Sequence, residues 1–267
     1  MNIDNVLVYL DDALLYLIKK KAKAHYSDDI WHIRYHWPRI KAELCEQLIT
    51  GTFVFSPCRI VEYKPNKYLH TFRTQDMLVL KALALALNKV LPKSALCYSW
   101  KGHGGVTKTL KEINDTEKSR FFTKTDVADY YATIDHHQLC KMLSSHIQDN
   151  KLWRVIYNAL KNHNREIGVP RGSPLSHVIG NFYLHELDSK FEQRESQHYF
   201  RYMDDILLLA DKKGALRRGI KTVKQDFNQL NVKWAIHKSF IGKTCEHNIV
   251  FLGQSLFGNR ESKKEVY

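Results

Sequence analysis

"HYFRYMDDILLLAD", residues 198–211, decides how this chain is read. β-forming residues stand on both sides of the tetrad Tyr202-Met203-Asp204-Asp205, so the stretch predicts two strands joined by a tight hairpin that turns at Met203 and Asp204. Adjacent carboxylates at the end of an apolar strand repel one another, and a divalent cation is the usual compensation. Taken alone, the segment also fits a polar β-turn with no ligand.

It does not stand alone. "RFFTKTDVADYYATID" (120–135) begins as another apolar strand and delivers Asp126 at its end, followed by Asp129, Tyr130 and Tyr131. Two-metal phosphoryl transfer needs carboxylates from separate elements that converge on ions roughly 4 Å apart. Asp126 and Asp204 are the candidate pair. Between them, "GVPRGSPLSHVIGNFYLHELD" (168–188) is a glycine- and proline-bearing loop that runs into a helical pattern with Val178, Phe182 and Leu187 on one side. Loops of this kind can hold a base pair or a phosphate.

A second Tyr-x-Asp-Asp occurs in "VYLDDALLYL" (8–17), where the surroundings differ. Val6, Leu7, Leu10, Leu14, Leu17 and Ile18 recur at spacings of three and four, with Asp4 placed to cap the start and Lys19 to Lys23 near the end. This predicts an amphipathic helix over 4–20. Asp11 and Asp12 then point about 100° apart and do not easily converge on one ion.

Bulk properties limit the alternatives. A chain of 267 residues with 44% hydrophobic and 26% charged residues has globular composition, enough for one large core or two intimate subdomains. Lys and Arg number 41 against 28 Asp and Glu, a net charge of +13, which suits a phosphate-backbone binder and also a merely basic soluble protein. The five cysteines (Cys45, Cys58, Cys97, Cys140, Cys245) are dispersed and form no CxxC pair, which argues against a disulfide framework or a zinc finger. The N-terminus carries acids ahead of its apolar stretch and bases behind it, the reverse of a signal peptide, and no apolar run approaches a membrane span. A soluble, cytoplasmic protein with no membrane partner is expected. Asp135 and Gln138 read as an N-cap and its N3 partner. His136 and His137 lack a partner at ligand spacing and read as solvent-facing.

The order of the Asp126 motif, the "PRGSPLS" loop (170–176), the "YMDD" hairpin and "FLG" (251–253) resembles the palm of reverse transcriptases, in particular the bacterial lineage related to group II introns, retrons and diversity-generating retroelements. "TGTFVFSP" (50–57), "RTQDMLVLKAL" (73–83), "KGHGG" (101–105) and "HKSFIGK" (237–243) resemble further segments of stand-alone group II-like enzymes, so the likeness runs from about Gly51 to Gly253. The resemblance implies an α+β right-hand polymerase whose antiparallel palm sheet packs on helices. It implies a helical N-terminal extension over 1–50, fingers over 51–115, a palm over 116–253 with a fingers insertion around 140–170, and a tail over 254–267. It also implies RNA-directed DNA synthesis from dNTPs on an RNA template with a DNA or RNA primer, using two Mg²⁺ ions with Mn²⁺ as a substitute.

The same resemblance assigns residues. Asp126 and Asp204 would ligate the ions, Asp205 would support them, and the main-chain carbonyl of Val127 would complete a coordination shell. Tyr131 matches the aromatic gate that excludes a ribose 2′-hydroxyl. Lys238 matches the lysine that protonates pyrophosphate, or is a plain surface lysine. For the triphosphate, Lys67 ranks first, with Lys64 just before it and Arg73 as a competitor. Arg171, where many relatives carry Gln, and Gly172 would touch the nucleotide from the loop; His177 stands where a Pro commonly follows. Phe251, Leu252 and Gly253 match the primer grip. Relatives continue into a helical thumb that residues 254–267 do not resemble, so a cognate structured RNA or a protein partner is expected to supply the clamp. "KKKAK" and "YSDDIWHIRYHWPRIKAEL" (26–44) interleave bases with aromatics, as single-stranded RNA surfaces do, or form a helical cap over the fingers. Two rival readings remain: an RNA-dependent RNA polymerase, which Tyr131 argues against, and an RNA-binding scaffold in a defence or retroelement complex, which the Asp triad argues against and the missing thumb favours.

Overall fold

The computed structural model of the protein describes residues 1–65, 67–116, 119–162 and 167–257, with the backbone alone at residue 67. Residues 258–267, most of the expected tail, lie outside the described residues. In chain order the elements are α1 (Asp4–Leu7), α2 (Leu10–Lys20), α3 (Asp29–Tyr35), α4 (Trp37–Thr50), β1 (Arg59–Lys64), β2 (Lys67–Thr71), α5 (Thr74–Val90), α6 (Gly105–Asn114) and β3 (Phe121–Thr125). There follow α7 (Tyr130–Thr133), α8 (His136–Leu143), α9 (Asn150–Lys161), α10 (Pro174–Tyr183), α11 (His185–Ser189), β4 (His198–Tyr202), β5 (Asp205–Ala210) and α12 (Lys213–Gln229). A 3₁₀ turn (Ile236–Lys238) precedes β6 (Phe240–Lys243), β7 (Ile249–Phe251) and β8 (Gln254–Leu256).

The chain divides into two compact units, one of Met1–Leu91 with Ile134–Ile179, the other of Pro92–Thr133 with Gly180 onward. Residues around 140–170, expected as a fingers insertion, therefore lie with the N-terminal helices, while 92–115 lies with the strands that follow.

In the first unit the amphipathic stripe of α2 buries Leu10, Ala13, Leu14 and Leu17. The predicted single helix is broken at Val8 and Tyr9, and Asp4 is not its cap: Ile3 occupies the N-cap position and no side chain closes it. Asp11 accepts from Trp37 Nε1 at 2.8 Å and Lys41 Nζ at 2.7 Å, and the Lys41 bond holds its carboxyl below the usual range. That tetrad staples α2 to α4. β1 and β2 form an antiparallel hairpin in which all of β1 is exposed. Asp135 caps α8 as expected, accepting from Gln138 N at 3.0 Å. His136, however, is not solvent-facing: it is buried and its Nε2 lies 2.5 Å from the Gly168 carbonyl, because the chain at 167–168 pairs back against 134–135.

The second unit is built on an antiparallel four-stranded sheet in the order β4-β5-β3-β6. Phe122, Phe200, Leu207 and Leu209 bury one face with Tyr98, Leu110 and Ile113, and the β7–β8 hairpin joins the same cluster through Ile249, Phe251 and Leu256. α12 covers β5 on the other face, and Gly219 permits its approach: a Cβ there would run into Leu208. Both faces of β5 are thus covered, which is why "ILLLA" reads as a continuous apolar run instead of an alternation. No helix among the described residues is long and apolar enough to cross a membrane.

Candidate active site

Strand register brings the acids together. In the β3–β5 pairing Thr125 faces Ile206, so Asp126, one residue past β3, falls beside Asp205, the first residue of β5. In the β4–β5 pairing Tyr202 faces Asp205, which leaves Met203 and Asp204 as the turn. Met203 has φ 57, a left-handed conformation that a non-glycine residue keeps only when its surroundings hold it.

The holding groups were not singled out in the sequence. Met203 N–H donates to Ser99 Oγ at 3.1 Å, and Arg201 Nη1 donates to the Met203 carbonyl at 2.7 Å. Ser99 Oγ in turn donates to Asn181 Oδ1 at 2.6 Å. Arg201 is fully buried and pairs with buried Asp188, donating from Nε at 2.6 Å and also from Nη2, which reaches the Asn181 carbonyl at 2.9 Å. Tyr199 Oη donates to the same Asp188 at 3.0 Å. The Met203–Asp204 turn is thus tied to a buried, fully hydrogen-bonded ion pair.

Electrostatics mark the site. Burial, then a hydrogen bond and repulsion from Asp126, push the Asp204 carboxyl up to about 7. Burial and Asp126 also raise Asp205, against Lys124 and Lys238, which lower it. Lys238 hydrogen-bonds Asp126 Oδ2 from a largely exposed position, and that bond raises its own pKa. Asp126 Oδ1 is buried with no hydrogen-bond partner. A buried, unsatisfied carboxylate oxygen beside two further carboxyls fits a divalent cation. No three His, Cys, Asp or Glu side chains among the described residues close around one point by themselves. Val127 is buried where its segment bridges to Trp234; the bonds there, Ala128 N–H to Lys233 O and Ala235 N–H to Asp126 O, both at 2.8 Å, do not use the Val127 carbonyl.

Tyr131 lies at the same place. A Cβ added to Gly180 would sit 3.3 Å from Tyr131 Cε1 and 3.4 Å from Met203 Cε, so this glycine leaves room for both side chains beside its helix. Buried Tyr130 anchors them, its hydroxyl donating to the Gly180 carbonyl at 2.5 Å. The one legible signal for Gly180 was its position inside a helix, where glycine costs up to about 1 kcal/mol relative to alanine.

Lys67, Arg73, Arg171 and Gly172 belong to the first unit. The Lys67 side chain lies outside the described residues; its backbone pairs with Lys64 across the β1–β2 hairpin. The Arg171 carbonyl accepts from His70 N–H at 2.8 Å, and Gly172 has φ 102 where a Cβ would meet the His70 carbonyl at 2.6 Å, so the loop is seated on β2. Arg73 is exposed at the start of α5. In the expected primer grip, Phe251 is wholly buried and its side chain is core. The turn that follows, at Leu252 (φ 50) and Gly253 (φ 80), is half-buried and then exposed. Lys124 Nζ donates to the Val250 carbonyl at 2.8 Å and ties this hairpin to β3.

Acids at the ends of adjacent antiparallel strands, one set on a hairpin tip, define the palm class of right-hand polymerase folds. Residues 65–256 match the family model described as reverse transcriptase (RNA-dependent DNA polymerase), and the chain belongs to that family. Its relatives include the putative COX1/OXI3 intron 2 protein of Saccharomyces cerevisiae, 26% identical over 57% of this chain and 20% of the yeast protein. The group II intron-encoded protein LtrA of Lactococcus lactis subsp. cremoris is 35% identical over 26% of this chain and 13% of LtrA. The chain thus matches a fifth or less of the length of these curated relatives. Among solved structures, telomerase from Candida tropicalis, in complex with a TWJ fragment of telomeric RNA, superposes with a TM-score of 0.52 at 12% identity, covering 80% of this chain and 46% of that one, a likeness of fold. Reverse transcriptases generally use divalent metal ions.

Proposed function

We propose that this chain is an RNA-directed DNA polymerase that extends a primer 3′-hydroxyl with dNTPs on an RNA template. The observation that supports the reading is the placement of Asp126, Asp204 and Asp205 at neighbouring strand ends, with Asp204 pushed up to about 7 by burial and Asp126, and Asp126 Oδ1 buried without a partner. Asp126, Asp204 and the Val127 carbonyl are the groups to hold two Mg²⁺ ions, with Mn²⁺ as a substitute, and Asp205 supports them from the next position. When bound, such ions activate the attacking hydroxyl and offset the charge of the leaving phosphates.

The remaining residues bind, orient and donate. Arg201 and Ser99 hold the turn so that Asp204 keeps one position. Lys238 keeps its proton beside the carboxylates and stands as donor to the departing pyrophosphate. Tyr131, backed by Tyr130 and Met203, presents its ring to the sugar edge of the incoming nucleotide. Lys67, or Lys64 or Arg73, faces the triphosphate, and Arg171 with Gly172 touches the nucleotide from its loop. Leu252 and Gly253 meet the primer through the main chain. The N-terminal extension over 1–50, fingers over 51–115 and palm over 116–253 are functional assignments that differ from the compact units, in which 92–115 groups with the palm strands and 140–170 with the N-terminal helices. A structured RNA or a protein partner completes the grip, in the cytoplasm.

Primer extension on an annealed RNA template with dNTPs and Mg²⁺ tests the activity; extension is expected with dNTPs and not with rNTPs alone. Tyr131→Ala is expected to raise rNTP incorporation relative to dNTP by about tenfold or more, since a gate of this kind discriminates by collision and about 1.4 kcal/mol is tenfold. An unchanged ratio would remove Tyr131 from that role. A binding readout independent of turnover is thermal: about 10 mM Mg²⁺ should raise the melting temperature of the wild type by about 3 °C, and that of Asp204→Asn by less than about 1 °C. Equal shifts in both would argue against an ion at Asp204.

A further inference from the structure

α12 buries Ala215, Leu216, Gly219, Val223 and Phe227 against its unit and leaves Lys213, Arg217, Arg218, Lys221 and Lys224 exposed. Positions 213, 217, 221 and 224 recur at three and four residues, so the cations form a stripe along a 17-residue helix, roughly 25 Å long. Like charges at these spacings each cost a helix a few tenths of a kcal/mol, so the stripe is no aid to folding. It is little neutralised from within: Asp226, the acid of this helix, is buried and paired with Lys190, and Asp211 stands just outside the N-terminal end.

Beside the stripe opens a cleft of about 740 Å³ whose cations are Arg194, Arg218 and Lys221, with Glu195 as its acid. Arg194 is already oriented: its guanidinium stacks 4.7 Å from the Phe191 ring and donates to Gln197 Oε1 at 3.2 Å and Thr222 Oγ1 at 3.0 Å. An ordered planar guanidinium loses less entropy on meeting a phosphate than a free one. Gln193, Ser196 and Gln225 complete the lining with neutral hydrogen-bonding groups.

We infer that the α12 face and its cleft bind the phosphate backbone of a structured RNA, on a surface that shares no residue with the carboxylate site. A row of cations along one helix suits phosphates, which contribute affinity without sequence. The neutral groups beside it suit 2′-hydroxyls, which favours RNA over DNA. The exposed positions of the stripe carry no large apolar side chain to insert into a lipid surface.

Fluorescence anisotropy of the full chain with a labelled RNA hairpin, without nucleoside triphosphates, tests the inference independently of polymerisation. Arg217→Gln/Lys221→Gln/Lys224→Gln is expected to bind at least about tenfold more weakly at 100 mM salt, and to lower the slope of log Kd against log salt by about 2 to 3. Unchanged slope with affinity within about twofold overturns it. Arg218→Gln alone, expected to weaken binding about threefold, decides the matter if the triple variant melts early. A DNA hairpin of the same sequence binding as tightly as the RNA overturns the assignment to RNA. A chain inactive in primer extension that still loses the hairpin on these substitutions leaves this inference standing and removes only the polymerase reading.

Discussion

Asp204→Asn is expected to lower primer extension on an RNA template by about a thousandfold or more. An amide keeps the shape of the turn but removes a carboxylate from the site where the structure concentrates charge, and about 4 kcal/mol of barrier corresponds to that factor. Retention of activity within about tenfold would disprove the role. The same substitution should act oppositely on stability in metal-free buffer. The folded Asp204 carboxyl titrates at about 7, above the usual 3.8, through burial and Asp126. Between those values the unfolded chain has released a proton that the folded chain still holds, so wild-type stability falls as pH rises from about 4 to about 7. The variant lacks this loss and should melt higher than wild type at pH 8 in a chelator. Adding Mg²⁺ should narrow the gap, since only the wild type retains the full carboxylate set. A variant that melts lower than wild type under chelation would show that Asp204 is not repelled there.

Arg201→Met is expected to destabilise the protein by about 3 to 5 kcal/mol, because it strands the fully buried Asp188 carboxylate without its partner. For a chain of this size that is a fall in melting temperature on the order of 10 °C. Chemical denaturation measures it directly, and a loss under about 1 kcal/mol would show that the pair is not closed in solution. Arg201→Met combined with Asp188→Leu should recover most of the loss, as apolar replacements of buried pairs often do. It should not recover activity, since the Met203 carbonyl would still lack its donor and the turn its hold. Arg201→Lys should behave like the Met variant in activity, because an ammonium cannot reach Asp188, Asn181 and Met203 at once as the guanidinium fork does.

Much of the site was legible because its signals are local. The hairpin at 198–211 and the strand ending at Asp126 show in runs of β-forming residues. The helical reading of the first tetrad shows in three-and-four spacing. The misread details share one cause, a partner distant in sequence. His136 read as solvent-facing because its acceptor, the Gly168 carbonyl, lies across a connection that no local pattern describes. The burial of Phe251, expected with Leu252 and Gly253 at a primer, was likewise not legible, since its side chain joins a core cluster built from distant strands and helices. Asp4 read as a cap, but the helix starts at Asp4 itself and the chain ahead of it is held elsewhere, Ile3 N–H donating to Asp149 Oδ2 at 2.8 Å.

The amino-acid sequence by itself determined the family, the antiparallel strands that carry the acids, and which acids those are, since each follows from spacing and residue type within a few positions. Only the tertiary structure decided how the acids are held and charged. The clamp on Met203 joins Ser99, Asn181, Asp188 and Arg201 from four segments. The raised carboxyl of Asp204 arises from burial and from Asp126, which approaches it only when β3 and β5 pair. Burial and charge proximity are properties of the folded chain, and no window of sequence contains them.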